Sequence, residues 1–209
     1  TPHDNTLSLH DALPISPLEG LMMGTRTGDI DPAVVFHLQR VAGMSVDEVD
    51  TLFNKKSGMK GMTGESDMRS VWAMIHNDED PETQQRARTA MDVYINRLLK
   101  YVGSYTAELG GLDVITFTAG IGENDIDVRR ELAEALSPFG VKIDVEANKV
   151  RSGEPRVVSA PDSTVKIYVF PTNEELAIAR QALTFALLSG LFEAGVPTWS
   201  PGLTRILRE

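Results

Sequence analysis

The sequence predicts an α/β fold, in which short β-strands alternate with helices. Two runs rich in β-branched and aromatic residues, 112–117 and 165–170, are typical of buried strands. A shorter run at 141–143, followed by a turn over 144–148, and another run around Val157 are expected to add two further strands. Helical patterns separate these runs, and this alternation is typical of α/β proteins.

Helix signals dominate the first half of the chain. The pairs Asp31-Pro32 and Asp80-Pro81 indicate helix starts, because aspartate caps free amides and proline fits the first helical position. The first of these helices is expected to stop at Gly43. A capping box over Ser45–Glu48 opens the next helix, and Asp67 opens another.

The helix that begins at Asp80-Pro81 is predicted to run to about Leu109, where Gly110-Gly111 ends it. Its apolar residues recur at steps of three and four, which predicts one continuous stripe. The stripe consists of Met91, Ile95, Leu98, Val102, Tyr105 and Leu109. We interpret it as core or interface and assign no cofactor to it.

The glycine-rich segment 57–65 superficially resembles a phosphate-binding P-loop. Lys60 does not stand in the required Gly-x-x-x-x-Gly-Lys-Ser/Thr spacing. A Walker-type nucleoside triphosphatase is therefore excluded.

A different glycine turn, Phe117–Asn124 (FTAGIGEN), joins the 112–117 strand to a helix predicted over 127–136, with Arg129 and Arg130 among its charges. Glycine allows a positive φ and a close approach of a ligand. Free amides and the dipole at a helix start favour an anion. A Gly-x-Gly turn alone is more often an ordinary strand-to-helix connection, so the wider context must decide.

Three stretches, taken in order and at their spacing, resemble the acetate kinase family, a member of the superfamily of acetate and sugar kinases, Hsp70 and actin. They are 17–32 (PLEGLMMGTRTGDIDP), 117–124 (FTAGIGEN) and 171–177 (PTNEELA). The resemblance covers residues 17–180 and only the C-terminal half of such an enzyme. It implies a ribonuclease-H-like (actin-like ATPase) domain that is incomplete and carries an inserted helical region.

The ends of the chain lie outside this resemblance. Residues 1–16 resemble a translated sequencing adapter, and we interpret them as a sequencing artefact; a divergent natural N-terminus is the alternative. Residues 17–180 are then the C-terminal domain of an acetate kinase. Residues 181–209 form a tail of uncertain origin, either an extension or an out-of-frame continuation.

The resemblance also assigns roles to single residues. Arg26 binds the substrate carboxylate and stabilises the transferring phosphoryl group, which suits the planar guanidinium; Pro17 walls the pocket for the acetate methyl group. Glu174 belongs to a Mg²⁺ (or Mn²⁺) site, acting through water, although a helix-capping carboxylate is an alternative. The nucleotide-binding residues implied are Asp67, Met68, Arg69, Gly120, Ile121, Gly122, Glu123 and Asn124.

The reaction that the resemblance implies is the reversible transfer of the ATP γ-phosphoryl group to acetate, giving ADP and acetyl phosphate, by a homodimer. The other catalytic residues of the family would precede Pro17, so we expect the chain alone to be inactive. Two alternatives stay open. One is a fragment of a propionate or butyrate kinase, and the other is a non-catalytic nucleotide-binding or dimerisation module.

Composition narrows the classes of partner. A net charge of −10 and a pI near 4.9 argue against nucleic acid or an anionic membrane. The absence of cysteine excludes disulfides and thiolate chemistry. No apolar run reaches the ~18 residues of a membrane span. We therefore expect a cytoplasmic protein.

Overall fold

The computed structural model describes residues 17–188, apart from the side chains of Glu174 and 185–188. The interpretations of residues 1–16 and of 189–209 lie outside the described residues. The described part divides into two compact units, one ending at Leu112 and the other beginning at Asp113.

The first unit contains only helices among its described elements. They are α1 (Ala33–Arg40), α2 (Val46–Lys55), α3 (Gly58–Thr63), α4 (Met68–Asn77) and α5 (Pro81–Leu109). The helix starts predicted at Ser45, Asp67 and Asp80 are confirmed. The first helix begins one residue later than expected, because Pro32 rather than Asp31 is its N-cap. It ends at Arg40, before the predicted stop at Gly43. Ser45 and Glu48 form a reciprocal capping box on α2, while Asp67 and Asp80 accept hydrogen bonds from the first amides of α4 and α5.

Helix α5 is the framework of the first unit, since α3 and α4 both pack against it. Val71 of α4 and Met91 of α5 are both fully buried. The predicted apolar stripe lies in the core only over its N-terminal part, because Tyr105 is 55% exposed and Leu109 is 78% exposed. Gly110 ends the helix in the left-handed region, as predicted. No helix within residues 17–188 is both long and apolar enough to cross a membrane.

The second unit contains a small mixed sheet with helices, which confirms the α/β class. The elements are β1 (Val114–Phe117), α6 (Ala119–Asn124), α7 (Ile126–Ala135), a 3₁₀ turn (Ser137–Phe139), α8 (Val145–Lys149), β2 (Arg156–Val157), β3 (Lys166–Val169) and α9 (Glu174–Leu188). The strand order is β1-β3-β2, with β1 parallel and β2 antiparallel to β3. Val158, Ile167 and Val169 are fully buried, so the sheet carries the core of this unit.

Two local predictions between α7 and β2 are wrong. The run 141–143 is not a strand, because its pairing is a single bridge between Ile143 and Ser159. The predicted turn at 144–148 is instead largely helix α8. The Asp144 carboxylate accepts hydrogen bonds from the amides of Glu146 and Ala147, and this cap favours a short helix.

Candidate functional site

The loop that carries Arg26 is fixed to the beginning of α3. Backbone hydrogen bonds run from Ser57 N to Thr25 O at 3.0 Å, from Met59 N to Met23 O at 3.0 Å, and from Lys60 N to Gly24 O at 2.9 Å. Gly58 lies between these donors at a φ of +63°, and a Cβ there would lie 2.0 Å from Met23 O. Only glycine allows so close an approach of the two backbones. The glycine-rich segment rejected as a P-loop thus supports the Arg26 loop.

The side chain of Arg26 is half-buried on this rigid loop. Within residues 17–188 its guanidinium has no hydrogen-bond or ion-pair partner. A guanidinium placed by a fixed backbone without an internal partner is suited to bind an anion from solution. Pro17, the other predicted substrate residue, is exposed.

Asp29 ties the other end of this loop to α5. Its carboxylate accepts 2.7 Å hydrogen bonds from the Tyr101 hydroxyl and from the amide of Gly20. Arg97 donates to the Asp29 carbonyl at 3.1 Å and lies 3.6 Å from its carboxylate. These contacts, the Tyr101 hydrogen bond first, lower the pKa of Asp29. The sequence gives no local signal for this anchor, because its partners lie far apart in the chain.

The predicted nucleotide segment 67–69 begins beside the Arg26 loop. A Cβ on Gly24 would lie 3.0 Å from the carbonyl oxygen of Ser66. Asp67 caps α4 through the amide of Arg69 at 2.9 Å and pairs with the Arg69 guanidinium, whose side chain is 91% exposed. These hydrogen bonds from Arg69 lower the pKa of Asp67 to about 2. The structure thus brings these two predicted segments together in the first unit, and both functional roles stay predictions.

The glycine turn of the second unit follows β1, as predicted, but most of it, Ala119–Asn124, is the short helix α6, which was not expected from the sequence. The positive φ of 59° falls on Ala119, and neither Gly120 nor Gly122 has one. Glycine serves a different purpose at each position. Gly120 has open space where a Cβ would stand, whereas a Cβ on Gly122 would lie 3.2 Å from the carbonyl carbon of Phe117. Gly120 is therefore accessible, and Gly122 allows close packing.

A cleft of about 510 Å³ lies at this turn. Its lining consists of Ala119, Gly120, Thr172, Asn173 and Glu175. The two predicted motifs, 117–124 and 171–177, therefore border the same cavity in the second unit. Glu123 joins them, because its Oε1 accepts hydrogen bonds from the backbone amide of Thr172 at 2.8 Å and from its hydroxyl at 3.0 Å.

Glu174, the predicted Mg²⁺ residue, is the first residue of α9, and its side chain lies outside the described residues. The neighbouring Asn173 accepts a 3.0 Å hydrogen bond from the amide of Leu176 and so caps this helix. Among the described residues, no group of three or more histidines and acidic residues could hold a metal ion. Mg²⁺ often binds through one or two carboxylates and substrate phosphates, so a single carboxylate fits this donor chemistry.

The burial of Arg129 was not anticipated from the sequence. We counted Arg129 among the charges of its helix without giving it a position, and the side chain is 0% exposed. It shares the buried face of α7 with Leu132 and with Leu136, the residue that directly follows the helix, at steps of three and seven residues. That spacing was the available signal, because an arginine in register with a buried apolar face must find polar partners there.

The chain combines an α/β unit with a cleft beside the carboxyl ends of parallel strands, which is where such folds bind ligands. Comparison with known proteins identifies the protein family. Residues 4–180 match the family described as the acetokinase family, and the chain belongs to it. The match begins at residue 4 and therefore also includes most of segment 1–16. The division of the chain at residues 16 and 180 stays a prediction.

The relatives agree with this assignment. The acetate kinase of Corynebacterium aurimucosum is 47% identical over 192 residues, which are 92% of this chain and 46% of that protein. The crystal structure of Porphyromonas gingivalis acetate kinase matches with a TM-score of 0.73 at 40% identity, over 81% of this chain and 41% of that one. A propionate kinase from Francisella tularensis matches with a TM-score of 0.68 at 36% identity, over 76% and 39%. The chain therefore spans less than half the length of these relatives.

Proposed function

We propose that this chain takes part in the reversible phosphorylation of acetate by ATP, giving acetyl phosphate and ADP. Membership of the acetokinase family over residues 4–180 is the observation that carries this proposal. The acetate kinases among the curated relatives favour acetate over propionate or butyrate as the acceptor.

Phosphoryl transfer requires in-line positioning of the reactants and positive charge on the transferring group. In this proposal Arg26 supplies that charge and orients the carboxylate, with Pro17 at the methyl group. Its support is the half-buried guanidinium, which has no partner within residues 17–188. The rigid backbone of the loop would keep the guanidinium oriented before the substrate binds.

Nucleotide binding is assigned to the segments 67–69 and 120–124. The support for the second segment is the open cleft at Ala119 and Gly120, bordered by the other motif at Thr172. Mg²⁺, bound through Glu174 and water, would neutralise charge on the phosphates. A homodimer and a cytoplasmic location complete the proposal.

A chimera tests the activity. Residues 17–180 of this chain would replace the matching segment of the Corynebacterium aurimucosum acetate kinase, and acetyl phosphate formation from acetate and ATP would be measured. We expect activity within about tenfold of the parent, because the exchanged segments share about half their residues. A folded chimera without activity would contradict the proposal. A preference for propionate over acetate would assign the chain to the other carboxylate kinases.

Titration of the full chain with ATP tests the remaining alternative, a nucleotide-binding module without catalysis. Binding in the micromolar range together with an inactive but folded chimera would indicate a nucleotide-binding module without catalysis. Activity of the chimera that is lost in Arg26→Ala would exclude that module.

A further inference from the structure

The second unit contains a fully buried cation beneath the glycine turn. The Arg129 guanidinium donates from Nη1 to the carbonyl oxygen of Gly122 at 2.8 Å, and from Nε and Nη2 to the side-chain and backbone oxygens of Asn148 at 2.6 and 2.9 Å. Asn148, itself buried, donates to the carbonyl of Ile126 at 2.9 Å. Burial lowers the pKa of Arg129, but arginine stays protonated in proteins. The hydrogen-bond acceptors of this cation are neutral, and the nearby carboxylate of Asp125 also favours its charge.

A second arginine contacts the next carbonyl of the same turn. Arg156 donates from Nη2 to the carbonyl oxygen of Glu123 at 3.4 Å. Its Nε is buried without a hydrogen-bond partner among the described residues. Two guanidinium groups thus contact consecutive carbonyls, those of Gly122 and Glu123, close to the C-terminal end of α6. Cations are favourable at that end of a helix.

The hydrogen bond to the carbonyl of Gly122 also affects the residue that follows it. Since a peptide unit is planar, fixing this carbonyl fixes the whole peptide between Gly122 and Glu123. Glu123 in turn holds Thr172 at the edge of the cleft. Arg129 therefore holds one end of the Gly122–Glu123 peptide, and the side chain of Glu123, joined to it through the covalent chain, holds the second motif.

We propose that Arg129 is a positioning residue, which fixes the glycine turn from behind so that its exposed side is ordered before nucleotide binds. The proposal rests on the function proposed above for segment 120–124. Arg129 itself contacts no substrate, because its side chain is fully buried. A bridge between Gly122 and Asn148 needs the guanidinium fork, since a single ammonium group on a flexible stem lacks that geometry.

Two substitutions test this role in the full chain. Arg129→Lys keeps a positive charge, and Arg129→Met keeps an apolar stem without charge. Leu136→Ala is the control, because it removes a fully buried side chain directly after the same helix and has no hydrogen bond to the glycine turn among the described residues. Hydrogen exchange of the amides of residues 123–125 in ligand-free protein reports the order of the turn. Calorimetric titration with ATP reports binding.

At equal global stability, we expect the amides of residues 123–125 to exchange about tenfold faster in both Arg129 variants than in the control. We also expect both variants to bind ATP about tenfold more weakly than the parent chain. Turn exchange that only follows global stability, as in the control, would overturn the proposal. So would an Arg129→Lys variant that binds ATP as tightly as the parent, because charge alone would then suffice. If the parent chain binds no ATP, the nucleotide role proposed for segment 120–124 fails in the isolated chain, while the exchange comparison still decides whether Arg129 orders the turn.

Discussion

Glu123 and Thr172 join the two motifs that border the cleft of the second unit. A single carboxylate oxygen of Glu123 accepts hydrogen bonds from both the amide and the hydroxyl of Thr172, which lies 49 residues later in the chain. The amide hydrogen bond is the main cause of a lowered pKa at Glu123. The contact therefore links the glycine turn to the start of α9 and makes that link sensitive to acid.

The link between Glu123 and Thr172 should weaken at low pH. Because the pKa of Glu123 is lower in the folded protein than its usual value of about 4.3, the stabilisation is complete above that value and is lost as pH falls through the folded pKa. The amide proton shift of Thr172, followed by NMR against pH, should report this titration. Glu123→Gln should abolish it. Glu175→Gln removes another carboxylate at the cleft and should leave it unchanged, and loss of the titration in this control would contradict the assignment.

Gly58→Ala should destabilise the first unit far more than Gly43→Ala. Both glycines have a positive φ, +63° and +68°, so each alanine carries the left-handed strain of about 1 to 2 kcal/mol. Only at Gly58 does the new Cβ meet backbone, at 2.0 Å from Met23 O, whereas Gly43 has nothing within 4 Å. We expect Gly58→Ala to cost about 3 kcal/mol or more in total.

Urea denaturation of the two glycine variants measures this difference. Equal free energies of unfolding for the two variants would show that the close contact between α3 and the Arg26 loop does not form. A larger loss in Gly58→Ala would confirm that the loop depends on this glycine.

Much of the fold follows from local sequence. Helices α2, α4 and α5 begin where a capping side chain provides acceptors for free amides, and this signal depends only on residues a few positions apart. The strands β1 and β3 were predictable because each is a short apolar run between polar turns. The expected burial of β1 is wrong, since Val114 is 50% exposed and no residue of this strand is fully buried. The run at 141–143 failed by the same rule, since a strand requires a neighbour to pair with, and only Ile143 bridges to one.

The candidate site was less predictable where distant residues decide the geometry. The resemblance named Arg26 and the glycine turn, but it gave no reason for their rigidity. That rigidity depends on Asp29 meeting Tyr101, and on Arg129 meeting Asn148, over separations of 72 and 19 residues. The strained backbone at Ala119 was missed for a related reason, because glycines stand beside it and are the residues expected to have a positive φ.

Asp67 should stay ionised to unusually low pH. The hydrogen bonds from Arg69 hold its pKa at about 2, below the usual value of about 3.9. The contribution of this cap to the stability of α4 is therefore complete above about pH 4 and is lost as pH falls towards 2. Carboxyl carbon NMR should show a midpoint near 2 in the parent chain. Arg69→Ala should raise that midpoint, and an unchanged midpoint would rule out the ion pair as its cause.

Arg26→Ala should separate function from stability. Because the guanidinium has no partner within residues 17–188, its removal should change the free energy of unfolding of the full chain by less than about 0.5 kcal/mol. In the chimera with the Corynebacterium aurimucosum enzyme, the same change should lower acetyl phosphate formation about a thousandfold, the scale typical of an arginine at a transferring phosphoryl group. Arg26→Lys should recover only part of this loss, because lysine keeps the charge without the bidentate fork.

Arg97→Ala is the matched control for the comparison of activity and stability in Arg26→Ala. Arg97 holds the same loop through Asp29, so its loss should lower stability measurably as well as activity. If Arg26→Ala unfolds the chain as Arg97→Ala does, Arg26 is a structural residue. If the chimera with Arg26→Ala keeps full activity, Arg26 plays no part in phosphoryl transfer. Stable protein with lost activity is the single combination that follows from a guanidinium without a partner within residues 17–188.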